Sequence, residues 1–261
     1  MTTPTVEDLY ALTEATWPPA AKVRVGPWDI REGRGAGSRV SAATSAVQAT
    51  AADLPLAEQE MRDLVQVPLF MIRKGEGWLD EMLAEQGYAI KDPVFLRLAP
   101  VEALTALPLE RAKTFRVWPP LETQKEIWAE GGIGPARLAV MERAEGPKTT
   151  ILGRDGNSPA GTVFVAMHDG MAMLHAMEVA TAFRRRGLAR KMIAAVGHWA
   201  ADHGASHVAL LVTKANAEAN ALYASMGLEV VGEYHYRIKY RVTPHDQPPD
   251  YPRPADGRSA A

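Results

Sequence analysis

Residues 182–196 read AFRRRGLARKMIAAV, three consecutive arginines and a glycine running into an apolar-periodic segment. From Leu188 onward, Leu188, Met192, Val196 and Trp199 recur at steps of four, four and three, the spacing that lines one helix face. The arginines therefore stand at a helix N-terminus, where the helix dipole disfavours cations and favours an anion. Arg184-x-x-Gly187-x-Ala189 sets small residues where the backbone must come close to a ligand, and the first-turn amides converge on the same point. Such a nest suits a diphosphate, to which Arg184, Arg185, Arg186 and Arg190 would add bidentate donors. A basic run alone reads equally as a solvated helix entrance, so its surroundings have to decide.

Upstream, AGTVFVAMHDGMAMLHAMEVA (160–180) is two β-favouring runs separated by Asp169-Gly170, a pair suited to a tight antiparallel hairpin. Downstream, Gly204 is placed to end the helix and HVALLV reads as a short buried strand. NAEANALYASMG opens with Asn216 as a capping residue, continues in helix formers and stops at Gly227, after which LEVVGEYHYRIKY closes as a strand. The order strand, strand, glycine loop, helix, strand, helix, strand predicts an α/β layout with a mixed sheet. The tail TPHDQPPDYPRPADGRSAA is expected to be disordered over 243–261.

Composition narrows the chemistry. The 261 residues include no cysteine, which excludes disulfides, thiolate metal ligands and a cysteine nucleophile. A formal net charge of -2 gives no general attraction to nucleic acid or an anionic membrane, so the arginine cluster is a local feature. The N-terminal stretch has no signal-peptide pattern and no segment reaches the length of a membrane span, which makes the cytoplasm the expected location. His203 and His207 straddle Gly204 with no further ligands, and no metal site is expected.

MEVATAFRRRGLARKMI resembles the acyl-CoA signature Arg/Gln-x-x-Gly-x-Gly/Ala of the GCN5-related N-acetyltransferase (GNAT) family. TKANAEANALYASMGLEVVGEYHYR is similar to the segment that completes that family's cofactor and catalytic site. Together they span roughly residues 160–240, and their joint occurrence in order is far more specific than either alone. The resemblance implies that acetyl-CoA is the acyl donor, with its pyrophosphate on the backbone and side chains of Arg184, Arg185, Arg186, Gly187, Leu188, Ala189 and Arg190. It further implies that Met177 and Val179 bond the pantetheine arm through their backbone, that Asn216 contacts the cofactor, and that Tyr223 protonates the departing thiolate. Transfer would be direct, to a primary amine in a ternary complex, with no enzyme nucleophile.

Glu178 is the first candidate for the base, with a cross-sheet salt bridge as the competing reading. His175 falls on the opposite face of the strand if side chains alternate strictly. His235 and Tyr236 are candidates for the acceptor pocket. Glu122, Glu126 and Glu130 could attract a cationic amine, yet their spacing is equally that of a solvated helix face. A small-molecule or peptide amine acceptor is expected, with neither nucleic acid nor membrane as partner. A non-catalytic acyl-CoA sensor module is the alternative.

The first half of the chain carries a faint echo of the second. At an offset of 140 residues LFMIRK (69–74) falls on ALLVTK (209–214) and LAEQGYAI (83–90) on YASMGLEV (223–230), without a gap. This weak repeat preserves strand, helix, glycine stop and strand. The expected architecture is therefore two tandem GNAT domains, each a mixed, mostly antiparallel sheet flanked by helices, in a pseudo-dimeric monomer. Residues 1–110 would be a degenerate N-terminal copy and 111–242 the catalytic domain. Leu83 replaces Tyr223 and Glu76 replaces Asn216, so the first copy should neither bind coenzyme A nor catalyse. Its glycine-rich REGRGAGSRV (31–40) lacks the spacing of a dinucleotide loop or a P-loop and reads as a mobile loop or strand turn, placed where it could reach the acceptor side.

Overall fold

A computed structural model describes residues 3–240; the expected disordered tail lies outside them. The chain opens with α1 (Val6–Thr16), whose capping box is closed by Thr5 and Asp8. A small antiparallel sheet follows, made of β1 (Ala21–Val25), β2 (Trp28–Glu32) and, after the short α2 (Ser38–Ser41), β3 (Thr44–Ser45). Then come α3 (Leu54–Asp63), β4 (Leu69–Ile72), α4 (Gly77–Glu85) and β5 (Ala89–Pro100). The second half runs through α5 (Val101–Thr105), β6 (Thr114–Val117), α6 (Glu122–Glu130), α7 (Pro135–Arg143), β7 (Lys148–Asp155), β8 (Ser158–His168) and β9 (Met171–Val179). It closes with α8 (Leu188–Asp202), β10 (His207–Thr213), α9 (Ala217–Ser225) and β11 (Glu229–Ile238). No helix among the described residues is long and apolar enough to cross a membrane.

Local chemistry explains the elements nearest the site. Asp169 and Gly170 both take positive φ, 46° and 72°, and close the β8–β9 hairpin at the His168–Met171 pair. Leu188, Met192, Val196 and Trp199 are all buried, as their spacing requires. The sheet makes room for this helix with glycines, since a Cβ on Gly153 would lie 2.6 Å from the Met192 sulfur. Gly204 and Gly227, at φ 79° and 80°, end α8 and α9 in the left-handed conformation.

Both halves of the chain build one eight-stranded mixed sheet, in the order β4-β11-β5-β10-β9-β8-β7-β6. β9 and β10 are its parallel neighbours, and the other named pairings are antiparallel. The sheet is flanked on one face by α3, α4, α5, α8 and α9, and on the other by α1, α6 and α7. The sequence repeat is matched element for element: α4 and β5 begin at residues 77 and 89, α9 and β11 at 217 and 229. What the repeat did not disclose is an exchange of strands. β5 pairs with β10 rather than β4, and β11 pairs with β4 rather than β10. β5 and β11 then pair with each other about Val94 and Tyr234, two residues at equivalent places in the repeat.

Candidate active site

The opening in the sheet lies between β9 and β10. Their parallel pairing ends at Leu174–Leu210, after which β10 continues on β5 to Thr213 and β9 continues on β8 to Val179. The two strands diverge and leave one edge of residues 175–179 unpaired, a ready place for an extended ligand arm to bond as an added strand would. The cause is a bulge: the β8–β9 register shifts between Thr162 and Phe164, and Ala176 takes φ 51°. Trp128 on α6 donates its Nε1 hydrogen to the Ala176 carbonyl at 2.7 Å and holds the bulge in place.

That bulge corrects the expectation about His175. Strict alternation would put His175 and Glu178 on opposite faces. The extra residue restores them to the same one, with His175 against Thr16 and Trp17 of the α1 side and Glu178 against Gly131 at the end of α6. Met177 and Val179 pack toward α8 instead.

At the end of β9 the chain turns through residues 180–187 into α8. Arg185 and Gly187 both adopt left-handed backbone, φ 62° and 77°, and Gly187 serves as N-cap without a side-chain cap bond. The amides of Leu188, Ala189 and Arg190 begin the helix and have no acceptor within it. A Cβ on Gly187 would meet nothing within 4 Å, so the nest opens to solvent.

The arginines at this nest are each partnered. Arg184 folds back on β9, with Nε on the Val179 carbonyl and Nη2 on Glu178 Oε1, both at 3.0 Å. Arg186 reaches Asp155 Oδ2 at 2.8 Å, Arg185 stands 3.6 Å from Glu218, and Arg190 donates to Ser225 Oγ at 3.4 Å. Carboxylates of the chain thus balance the cations at the helix start. Such exposed pairs contribute only about 0–1 kcal/mol each, so a phosphate can exchange for them. Residues and backbone here fit a diphosphate.

Tyr223 lies on α9 within the core that α8 covers and is 7% exposed. Burial pushes its hydroxyl up to about 12, against a smaller downward pull from Arg97, so the phenol holds its proton at neutral pH. Asn216 is the N-cap of α9, its Oδ1 accepting from the Ala219 amide at 3.0 Å. Both residues follow β10, the far wall of the opening.

Other candidates fall elsewhere. His235 and Tyr236 are not brought to the opening, because β5 stands between β11 and β10. His235 contacts Asp80 at 2.7 Å, and Tyr236 is buried against Tyr234. Glu122, Glu126 and Glu130 are exposed on α6. No cluster of metal-ligating side chains occurs among the described residues.

Sequence reasoning passed over three contributors. Trp128 secures the bulge, Arg97 of β5 sits behind α9, and Arg39 reaches His175 Nδ1 at 3.0 Å from the 31–40 segment. That segment is a docked platform rather than a mobile loop, since Ala36 and Val40 pack with Trp128, Val140 and Met141.

The acetyltransferase (GNAT) family model matches residues 109–228. A Bacillus subtilis (strain 168) protein named as uncharacterized N-acetyltransferase YobR is 24% identical over 245 residues, covering 90% of this chain and 98% of its own. Two solved structures share the fold. One, a functionally unknown conserved protein from Staphylococcus epidermidis ATCC 12228, is 15% identical, with a TM-score of 0.70 and coverage of 91% of this chain and 98% of its own. The other, a GCN5-related N-acetyltransferase from Kribbella flavida, is 17% identical, with a TM-score of 0.66 and coverage of 91% and 96%. The splayed strands and the glycine nest lie within residues 109–228, the segment that is similar to the acetyltransferase (GNAT) family.

Proposed function

We propose that the protein is an acyl-CoA-dependent N-acyltransferase that moves the acetyl group of acetyl-CoA directly to a primary amine in a ternary complex. The observation that carries this reading is the opening between β9 and β10 beside the left-handed turn at Gly187. Acetyl-CoA, as substrate, supplies the activated thioester. The amides of Gly187 to Arg190, with Arg184, Arg185, Arg186 and Arg190, hold the pyrophosphate. The backbone of Met177 and Val179 bonds the pantetheine arm, and Asn216 orders the loop beside it.

Glu178 takes the proton that the attacking amine loses, and Tyr223 gives its own to the sulfur that leaves. The C–N bond forms as the C–S bond breaks, and the two protons balance. Burial keeps the Tyr223 phenol protonated, which the role of proton donor requires. Glu178 is released for its role when phosphate draws Arg184 away.

Residues 111–242 form the catalytic domain in this reading, and 1–110 a copy that has lost the chemistry. The N-terminus of α3 offers no phosphate nest: Asp53 already stands there, its carboxylate accepting from the Thr50 amide at 2.8 Å. Leu83 and Glu76 occupy the places of Tyr223 and Asn216. The strand exchange supports a monomer whose halves mimic a dimer.

Calorimetric titration of acetyl-CoA into the wild type and Arg186→Glu tests the reading. One site per chain, much weakened in the variant, is the expected result. Two sites per chain would overturn the degenerate first half, and no binding would overturn the enzyme.

A further inference from the structure

The sheet face that carries α1 holds a cavity of about 740 Å³, walled by α1, the β1–β2 hairpin and β4. Its charges do not balance. Lys22 and Arg31 both lean on one carboxylate, Glu14, which lies 2.6 Å from Arg31 Nη2. Burial would raise the Glu14 carboxyl, but these two cations outweigh it and hold it below its usual range. Across the cavity Arg73 is matched by Glu76 and Asp29 by Arg24, and Glu7 adds a carboxylate beside Tyr10, so the imbalance is confined to the other end.

Arg39, at the Trp17 end, has no carboxylate against it among the described residues. Its guanidinium lies 5.7 Å from the centroid of the Trp17 ring, and its Nε is buried without a hydrogen-bond partner. Its Nη1 donates to His175 Nδ1, which fixes the imidazole tautomer: Nε2 carries the hydrogen and donates to Thr16 Oγ1 at 2.8 Å, while Thr16 donates to the Leu12 carbonyl. His175 is a neutral acceptor and cancels none of the charge. The cavity therefore has excess positive charge at its Arg39 end, where Trp17 supplies an apolar wall; Tyr10 and Tyr234 line it further along.

Arg39 is also held rigidly and close to the reacting strand. The segment that carries it is docked on α6 and α7 through Ala36 and Val40. One side chain, His175, separates it from Ala176, the bulged residue at the head of the opening.

We infer that this cavity binds the acceptor, and that the acceptor is a small amino acid-like amine whose carboxylate is taken by Arg39 and whose apolar body lies on Trp17. The inference rests on the acyl-transfer reading. A molecule anchored on Arg39 is one side chain, His175, away from the strand proposed to hold the thioester, and a carboxylate there supplies the missing counter-ion as a charge-assisted bond.

The test uses the proteinogenic amino acids, each paired with its amide and its decarboxylated amine, titrated calorimetrically into the full chain with coenzyme A present. At least one acid should bind about tenfold or more tightly than its amide. Arg39→Gln should abolish that preference and Arg39→Lys should keep part of it, with thermal unfolding confirming that both variants fold. Equal binding of acid and amide, binding of no acid, or a preference that survives Arg39→Gln would each overturn the inference. Acetyl-CoA titrated separately reports on the acyl-transfer reading: if it fails to bind while acid is still preferred over amide, that reading fails and the cavity assignment as a carboxylate site stands.

Discussion

Arg97 and Arg237 make the same two contacts in opposite halves of the chain. Arg97, on β5, donates to the Leu228 carbonyl at 2.7 Å and to Asn220 Oδ1 at 3.0 Å; Arg237, on β11, donates to the Tyr88 carbonyl at 2.9 Å and to Asp80 Oδ1 at 2.6 Å. The arginines and both acceptors stand at equivalent places in the repeat. Each exchanged strand thus clamps the helix of the other half, Arg97 holding α9, which carries Tyr223.

Removing the first clamp should loosen the second half of the chain. Arg97 is 7% exposed, and its loss leaves a buried carbonyl and a side-chain amide without their charged donor. Arg97→Met should lower the unfolding free energy by about 2–4 kcal/mol, read from urea denaturation. An effect below about 0.5 kcal/mol, the scale of an ordinary surface change, would mean that the clamp is incidental.

The seam between α5 and α8 depends on Gly197. An alanine inside an exposed helix adds up to about 1 kcal/mol over glycine, but a Cβ here would sit 2.3 Å from the Leu104 Cβ, within a buried core. Overpacking wins. Gly197→Ala should destabilise by about 1–3 kcal/mol and lower the melting temperature; a raised melting temperature would show that α5 can withdraw freely.

Glu178 can be displaced without being removed. A Cβ on Gly131 would fall 2.6 Å from its carboxyl, which is the free end of a flexible side chain, and Gly131 has an ordinary φ of -80°. Gly131→Ala should stay within about 0.5 kcal/mol of wild-type stability while lowering kcat in the same direction as Glu178→Gln. If both variants keep full kcat, Glu178 is not the base.

Tyr223→Phe should lower kcat by about a hundredfold or more, the range for losing a general acid, and leave the KM for acetyl-CoA near wild type. A matching loss in acetyl-CoA affinity would instead make Tyr223 a packing residue of α9.

From β8 onward the chain was legible because each element there carries a local signal. Asp169-Gly170 demands a hairpin, the Leu188 periodicity demands a buried face, and Asn216 and Gly227 bracket α9. The repeat at 69–90 was visible for the same reason. Strand exchange was not, because β5 and β11 have equivalent patterns and either could close either sheet; only the pairing of β5 with β10 and of β11 with β4 distinguishes the outcomes. The bulge at Ala176 was also silent, since alanine carries no mark of positive φ. With it the face of His175 was misread, and Arg39 was beyond reach because its partner lies 136 residues away.

His175 offers a pH signature of that long-range contact. It is buried, and desolvation first, then the Arg39 charge, lowers its pKa well below the ordinary imidazole value. The unfolded chain therefore takes up a proton below about pH 6.5 that the folded protein refuses, and stability falls as pH falls through that range. The slope attributable to this one site approaches about 1.4 kcal/mol per pH unit. His175→Gln can accept from Arg39 and donate to Thr16 without titrating. Urea unfolding from pH 7.5 down to about 5 should show the wild type losing stability relative to the variant, with the two curves parallel above about pH 7. Parallel curves throughout would mean that His175 takes its proton in the folded protein, and that the Arg39 charge is not held against it in solution.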